Sequence, residues 1–242
     1  MDGFDPAQSF GPDVAARYDN EPRGDEKETV DFLSDLAGDG PALELAIGTG
    51  RIALPLAALG VRVDGIELSE HMLARMREKP GGAALDVVLG DMSAADAPGS
   101  GYRLVYLVFN TIHNLLTQED QVRCFHNAAR YLTEDGVFVV EAGMPGAWLR
   151  GGQFVDAEYV GNDAVVLDVN RYDPVTQILE ENHVHLSNDG VRLGPICQRI
   201  AFPSELDLMA RIAGLRLLRR TGGWCGEPYT ADSRRHVSVY GR

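Results

Sequence analysis

The chain has 242 residues, 45% of them hydrophobic and 24% charged, which is ordinary for one globular domain with a sizeable core. Its formal net charge is −14 at pH 7, and a surface this negative repels the phosphate backbone of nucleic acids, so we expect no nucleic-acid partner. Three widely spaced cysteines form neither a disulfide framework nor a zinc motif, and no segment has the pattern of a signal peptide or a membrane span.

The first 24 residues are polar and rich in turn formers, and we interpret them as an arm with a short helix near Val14–Tyr18. A helix is predicted over residues 25–37. Short apolar strands and helices then alternate, which indicates βαβ units and a doubly wound parallel sheet of the α/β class. The predicted strands are 42–45, 61–66, 86–89, 104–109 and 136–141, and the helices between them are 51–59, 69–77 and 118–132.

The alternation stops after the fifth strand. Four further strands, joined by turn residues, predict an antiparallel meander. They span residues 153–160, 164–172, 178–186 and 196–202. A helix over 205–213 with Ser204 as its cap and two strands over 215–219 and 236–240 follow. We interpret residues 146–200 as a small antiparallel insertion over the active site, within a single domain that spans residues 1–242.

A glycine-rich turn follows the first strand, in the run Glu44-Leu-Ala-Ile-Gly48-Thr-Gly50-Arg51. Glycines let the backbone turn sharply and approach a ligand, although a plain strand-to-helix connection uses them as well. Acidic residues after the next two strands favour a ligand site. A carboxylate at Glu67 can accept both hydroxyl protons of a ribose. A carboxylate at Asp91 can accept from an adenine amine, with Met92 packing on the ring.

The segments LELAIGTGRIALPLA, VDGIELSEHML and VVLGDM resemble the class I S-adenosylmethionine-dependent methyltransferases. The resemblance covers roughly residues 15–142 and the closing strands. It implies a Rossmann-like, seven-stranded sheet whose last strand is antiparallel, with S-adenosylmethionine as the cofactor. The insertion resembles, in architecture only, the sugar N-methyltransferase and glycine N-methyltransferase-like enzymes, in which an antiparallel lobe roofs the substrate.

The same resemblance implies the cofactor contacts. Gly48 and Gly50 would lie beside the methionine moiety, Glu67 at the ribose, and Asp91 at the adenine. Ala46 departs from the family, because many members have glycine there. The predicted cofactor-binding set is Tyr18, Glu44, Ala46, Gly48, Gly50, Arg51, Glu67, Leu68, Asp91, Met92, Phe109 and Asn110.

The loop after the fourth strand faces the methyl group in this fold, and it lacks the Asn/Asp-Pro-Pro-aromatic clamp of nucleic-acid amino-methyltransferases. We predict His113 as the general base, since its ordinary pKa suits proton removal near neutral pH, with Glu141 as the second candidate. Packing beneath the loop for His113, and acceptance of loop hydrogen bonds by Glu141, are the structural alternatives. The predicted substrate-binding residues are Asn114, Trp148, Trp224 and Tyr229.

His183 and His185 face one side of a predicted strand, but no third ligand is evident, so no metal is predicted. The sequence therefore predicts transfer of a methyl group to an oxygen or nitrogen of a small-molecule metabolite. We expect a cytoplasmic monomer or homodimer without membrane partners. The alternatives are an NAD(P)-dependent oxidoreductase, because Gly48-x-Gly50-x-x-Ala53 satisfies a relaxed dinucleotide fingerprint, and a cofactor-binding module without catalysis.

Overall fold

The computed structural model describes residue 4, residues 9–20 and residues 23–242, so parts of the predicted arm (1–3, 5–8 and 21–22) lie outside the described residues. The helices are α1 (Pro12–Arg17), α2 (Glu26–Ala37), α3 (Ala53–Ala58), α4 (Glu70–Arg77), α5 (Gln118–Tyr131) and α6 (Pro203–Ile212). The strands are β1 (Ala42–Leu45), β2 (Val63–Glu67), β3 (Asp86–Leu89), β4 (Tyr102–Leu107), β5 (Leu132–Gly143), β6 (Gly152–Val160), β7 (Ala164–Asp173), β8 (Ile178–Ser187), β9 (Gly190–Arg199), β10 (Arg216–Thr221) and β11 (Arg235–Gly241).

Seven strands form the main sheet, in the order β10-β11-β5-β4-β1-β2-β3. The five strands from β5 to β3 pair in parallel, and β11 is antiparallel to both of its neighbours, β5 and β10. The strand order reverses between β1 and β4, which is the position where doubly wound sheets bind ligands. The predicted fold class is confirmed.

Both faces of the main sheet are buried. Leu43 and Leu107 belong to a core on the side of α5 and α6, whereas Leu104 and Tyr106 belong to a core on the side of α2 and α3. Successive strand residues therefore point into opposite cores, which explains why the central strands are apolar throughout. No helix in the described part of the chain is long and apolar enough to cross a membrane.

The meander β6-β7-β8-β9 forms a second, four-stranded antiparallel sheet, which we call the roof. Its base holds a small apolar cluster of its own, which includes Tyr172, Leu179 and Ile200. Gln121 of α5 donates its amide Nε2 to the carbonyl oxygen of Arg199 at 2.9 Å and accepts from the Arg199 guanidinium at 2.6 Å. These contacts fasten the end of the roof, while the division of the chain into arm, core and insertion stays a prediction.

Several predicted boundaries were wrong, and the largest shifts are at the start of β5, which begins at Leu132 rather than at residue 136, and at the start of β9. Strand β9 begins at Gly190 rather than at residue 196, because it is an edge strand and so tolerates Pro195 in its interior. Helix α6 begins at Pro203 after Phe202, with no side-chain cap, so Ser204 is not its cap. Proline suits the first helical position, where its missing N–H has no partner to lose. The cap at Ser69 is confirmed, since its hydroxyl accepts the Met72 N–H at 3.2 Å.

Candidate cofactor and acceptor site

The glycine turn leaves β1 in an unusual backbone conformation. Ala46, Gly48 and Gly50 have φ angles of 56°, 60° and 76°, in the left-handed region. Glycine adopts this region freely, whereas alanine does so at a steric cost. The conformation explains why glycine suits position 46, and it shows that Ala46 keeps the same turn under strain.

Glu67 ends β2 beside this turn and is 6% exposed. One carboxylate oxygen accepts the Gly48 N–H at 2.7 Å and the other accepts the Ser69 N–H at 2.8 Å. Burial raises the pKa of Glu67, while these N–H groups favour the ionised form. Each oxygen retains a lone pair beyond its backbone bond, so the group that fixes the turn can also accept from ribose hydroxyls.

Asp91 follows β3, the next strand along the edge, and is exposed. One of its oxygens accepts the Ser93 N–H at 2.7 Å, which fixes the direction of the carboxylate. The neighbouring Met92 is 8% exposed, and Leu68 at the end of β2 is 43% exposed. An accessible carboxylate next to apolar side chains fits the amine and the ring of an adenine.

Glu44 lies beneath the turn and is 3% exposed. Burial raises its pKa to about 8, and this effect outweighs the hydrogen bond from Tyr106 and the charge of Arg51. The Tyr106 hydroxyl, on the adjacent strand, donates to Glu44 at 2.9 Å. The Arg51 guanidinium lies 3.5 Å from a Glu26 oxygen and 5.3 Å from the centre of the Phe109 ring. The Ala53 N–H at the start of α3 also hydrogen-bonds Glu44, so Glu44 joins β1 to the helix that follows the turn.

The loop after β4 is strained at two successive residues. Phe109 and Asn110 have φ angles of 59° and 60°, a conformation rare for a bulky residue such as phenylalanine. Glu141 accepts the Phe109 N–H at 2.8 Å, and the Asn110 side-chain oxygen accepts the N–H of Gly143. Burial raises the pKa of Glu141, opposed by the Phe109 N–H and by Arg235, whose guanidinium lies 3.2 Å away. Residues of β5 thus hold the loop in its conformation.

A cavity of about 1650 Å³ lies between this loop, the arm and the roof. Of the predicted cofactor residues, Tyr18, Phe109 and Asn110 line it; of the predicted substrate residues, Asn114 and Trp148 do so. The Asn114 side-chain oxygen is shielded from solvent and has no hydrogen-bond partner among the described residues.

The other predicted residues lie outside the described lining of this cavity. They are the nine cofactor residues from Glu44 to Met92, the two catalytic candidates His113 and Glu141, and the substrate candidates Trp224 and Tyr229. His113 is 1% exposed, and burial lowers its pKa to about 4. Trp224 is 5% exposed and packs edge-on against Phe32, with ring centres 5.3 Å apart. Tyr229 donates its hydroxyl to the Met144 sulfur at 3.2 Å. Of the predicted substrate residues, the structure therefore brings only Asn114 and Trp148 to the described cavity wall, without His113.

Charged side chains on the inner face of the roof also line the cavity. Asp168, Glu181 and His183 are the main members. The sequence favoured a structural or pocket-lining role for His183 and gave no role to Asp168 or Glu181. One sequence feature could have identified this charged face: side chains alternate between the two faces of a strand, so Glu181, His183 and His185 of β8 share one face. Sequence alone did not show that Asp168 of β7 is the neighbour of His183.

The arm is fastened to the glycine turn and to α4. The Ser69 hydroxyl donates to the Phe10 carbonyl oxygen at 2.6 Å, and the Thr49 hydroxyl donates to Asp19 at 2.6 Å. Lys79 contacts Asp19 at 2.8 Å. The arm thus lies beside the residues that fit the cofactor.

Comparison with known proteins agrees with this geometry. A family model described as a methyltransferase domain matches residues 42–136. The structure of the CcbJ methyltransferase from Streptomyces caelestis is 39% identical, covers 98% of this chain and 99% of its own, and superposes with a TM-score of 0.92. The cypemycin N-terminal methyltransferase from Streptomyces sp is 28% identical over 204 residues, 83% of this chain and 82% of that protein.

A more distant likeness concerns the fold alone. The S-adenosylmethionine-bound structure of CalS10, an amino pentose methyltransferase from Micromonospora echinaspora, is 22% identical, covers 94% of this chain and 95% of its own, and has a TM-score of 0.68. The glycine turn with Glu67 and Asp91 at successive strand ends fits S-adenosylmethionine, and the likeness to CcbJ extends over nearly the whole of both chains. On these grounds the chain belongs to the class I S-adenosylmethionine-dependent methyltransferases and uses S-adenosylmethionine as its cofactor.

Proposed function

We propose that the enzyme transfers the methyl group to a nitrogen of a small-molecule acceptor bound beneath the roof, with an oxygen acceptor as the second possibility. The observation that carries this proposal is the cavity of about 1650 Å³, which opens onto Phe109 and Asn110 at the end of β4. Ligand cavities are commonly about 300–1,000 Å³, so this one has room for an acceptor of several rings.

Two observations favour nitrogen over oxygen. The cypemycin N-terminal methyltransferase and the amino pentose methyltransferase CalS10 are named for amine-bearing substrates. The inner face of the roof carries carboxyl groups, including Asp168 and Glu181, which suit an amine that binds as a cation and gives one proton to a carboxylate before its lone pair accepts the methyl group.

The cofactor, when bound, supplies a methyl group on a sulfonium. The acceptor attacks the methyl carbon in line with the bond to sulfur, and the sulfur is the leaving group. Alignment provides much of the acceleration of such a displacement. We assign this alignment to the loop at Phe109 and Asn110, since Glu141 and Gly143 hold both residues in strained conformations. Glu141 then acts as a positioning residue, because its oxygens are engaged with the Phe109 N–H and with Arg235.

His113 has a structural role in this proposal. A group that is 1% exposed, with a pKa lowered to about 4 by burial, is neutral near pH 7, and His113 is absent from the described lining of the cavity. A weak base shielded from the acceptor is poorly suited to proton removal.

The alternatives to a catalytic methyltransferase have less support. A module without catalysis predicts a filled acceptor cavity, whereas this cavity is open. A nicotinamide enzyme has no need of Asp91 at the third strand end. We propose further that the enzyme acts in the cytoplasm, because Cys124, Cys197 and Cys225 are free thiols. The oligomeric state stays a prediction of a monomer or homodimer.

The test is methyl transfer from S-adenosylmethionine to a panel of amines, each paired with the alcohol of the same skeleton. Methylated product is measured by mass spectrometry, together with release of S-adenosylhomocysteine. We expect methylated amines, with turnover lowered about tenfold or more by Asn110→Ala, since Asn110 fixes the loop to β5. Asn20→Ala, an exposed change in the arm, is the control. Methylation of the alcohols alone would reverse the choice of nitrogen.

A further inference from the structure

The inner face of the roof is charged at the position where β7 and β8 face the cavity. Asp168 and His183 are directly opposite each other across these strands, and the His183 Nδ1 lies 2.5 Å from an Asp168 oxygen. The other ring nitrogen, Nε2, lies 3.1 Å from an oxygen of Glu181. One imidazole is therefore held between two carboxyl groups.

A third carboxyl group increases the negative charge. Oxygen atoms of Glu158 and Asp168 and a nitrogen of His183 lie within 4.8 Å of one another. Burial raises the pKa of Glu181 to about 7, so above neutral pH the carboxylates of Asp168 and Glu181 outnumber the single positive charge of a protonated imidazole. The Asp168 and Glu181 side chains are only 13% and 14% exposed, so water screens this excess weakly.

The unbalanced charge is accessible from the cavity. The residue opposite His183 on β9 is Gly194, and a Cβ built there would lie 3.5 Å from the His183 Cβ. Because Gly194 has no side chain, one flank of the imidazole is open, and the His183 side chain is 39% exposed. A ligand in the cavity can therefore reach the carboxyl groups beside it.

A second, independent feature of the cavity wall indicates a ligand that donates hydrogen bonds. The Asn114 side-chain oxygen, on the loop after β4, is shielded from solvent and has no hydrogen-bond partner among the residues that the structure describes. A buried acceptor of this kind costs free energy unless a ligand donates to it. Carboxylates and an unpaired amide oxygen together call for a donor with positive charge.

We propose that Asp168, Glu181 and His183 form a subsite that binds the protonated amine of the methyl acceptor, a proposal that rests on the proposed function. An ammonium group has only donors, and charge-assisted bonds to carboxylates are the strong ones. Transfer of one ammonium proton to a carboxylate of the subsite leaves the neutral amine, whose lone pair then accepts the methyl group. Arg192 lies opposite His185, one step further along the same face, so the negative region is confined to the Asp168–His183 pair and its neighbours.

A divalent metal ion is the competing occupant, since Glu158, Asp168 and His183 carry ligand atoms. The 2.5 Å contact between Nδ1 and Asp168 favours the ammonium. When two ligand atoms each lie about 2.1 Å from one metal ion and the ligand–metal–ligand angle is about 90°, the two ligand atoms are about 3 Å apart. The His183 Nδ1 and the Asp168 oxygen are closer than this and form a direct hydrogen bond with each other.

The test uses the full chain saturated with S-adenosylhomocysteine and labelled with ¹⁵N-histidine. The probes are protonated glucosamine and pyrrolidine, with glucose and tetrahydrofuran as their neutral isosteres. We expect the ammonium probes, and neither isostere, to shift the His183 imidazole resonance in a saturable manner, the resonance being assigned with His183→Gln. Asp168→Asn and Glu181→Gln should each weaken this binding about tenfold, whereas Asp163→Asn, an exposed change between β6 and β7, should not.

Equal shifts with glucose or tetrahydrofuran, or full affinity for the ammonium probes in both carboxamide variants, would overturn the subsite. Micromolar Mn²⁺ that broadens the His183 resonance and is not displaced by the probes would assign the cluster to a metal and overturn it as well. Calorimetry with S-adenosylhomocysteine on every variant keeps the two proposals separate. Variants that keep the wild-type cofactor affinity test the subsite separately, whereas a wild-type protein that does not bind S-adenosylhomocysteine contradicts the proposed function.

Discussion

Glu44 is an acidic group that folding forces into an apolar site. Its ordinary pKa is 4.5, and burial raises the pKa to about 8 in the native state. Between these values the native state binds more protons than the unfolded chain. By linkage, the contribution of Glu44 to the free energy of unfolding decreases as the pH rises through this window.

Replacing Glu44 by glutamine should remove this pH dependence. The glutamine side chain can still accept from Tyr106 and never ionises, so Glu44→Gln should unfold at a temperature several degrees above wild type at pH 8, and the difference should shrink towards pH 5. Thermal unfolding between pH 5 and pH 9 measures it, with Glu134→Gln, an exposed change, as the control. A difference that does not vary with pH would contradict the raised pKa of Glu44.

The site residues that could be identified from the sequence are those whose position follows from the neighbouring residues in the chain. Gly48, Glu67 and Asp91 each lie within three residues of the end of a predicted strand, so their meeting at one edge of the sheet follows from the parallel order. His113 also follows a strand, but whether it faces the cavity or the core depends on packing that its neighbours in the chain do not reveal. Trp224 is a similar case, because its contact is Phe32, far away in the sequence.

At the scale of elements, the alternation of strands and helices predicted the main sheet almost completely, since buried parallel strands are apolar runs bounded by turns. The roof was harder to delimit. Its strands expose one face to the cavity and the other to solvent, so charged residues occupy both faces and the alternation is weak. The beginning of β9 was missed for this reason, and because Gly194 and Pro195 interrupt it.

The arm helix α1 has six residues, too few for an isolated helix to be stable in water, so its order depends on tertiary contacts. Asp19 supplies two of these, with Thr49 and Lys79. Asp19→Ala should therefore increase amide hydrogen exchange over residues 12–17 about tenfold and lower the affinity for S-adenosylhomocysteine several-fold. Such a change corresponds to about 1.4 kcal/mol, in the range of one or two hydrogen bonds to charged groups.

Hydrogen exchange with mass spectrometry is the measurement for the arm, and Asn20→Ala is the matched control, since Asn20 is exposed and adjacent. Unchanged exchange in Asp19→Ala would show that the arm is held by its other contacts, such as the bond from Ser69 to the Phe10 carbonyl oxygen.

At the scale of the whole molecule, the residues that fit the cofactor belong to separate strands and to the arm, and they meet only in the native fold. A ligand that binds them should therefore stabilise the folded chain as a unit. S-adenosylhomocysteine at about 100 times its dissociation constant contributes about 2.7 kcal/mol. For a chain of this size that corresponds to a rise in Tm of about 5–10 °C.

The ligand-induced rise in Tm distinguishes an S-adenosylmethionine site from a nicotinamide dinucleotide site. The variants to compare with wild type are Asp91→Ala and its control Asp96→Ala. S-adenosylhomocysteine should raise the Tm of wild type and of Asp96→Ala, whose carboxylate is exposed and paired with Arg130 at the surface. The same concentration should raise the Tm of Asp91→Ala much less, because its carboxylate is the proposed adenine acceptor. NADH should leave all three unchanged. An equal shift in Asp91→Ala would remove Asp91 from the cofactor site, and a shift with NADH would mean that the strand-end carboxylates accept a dinucleotide as well.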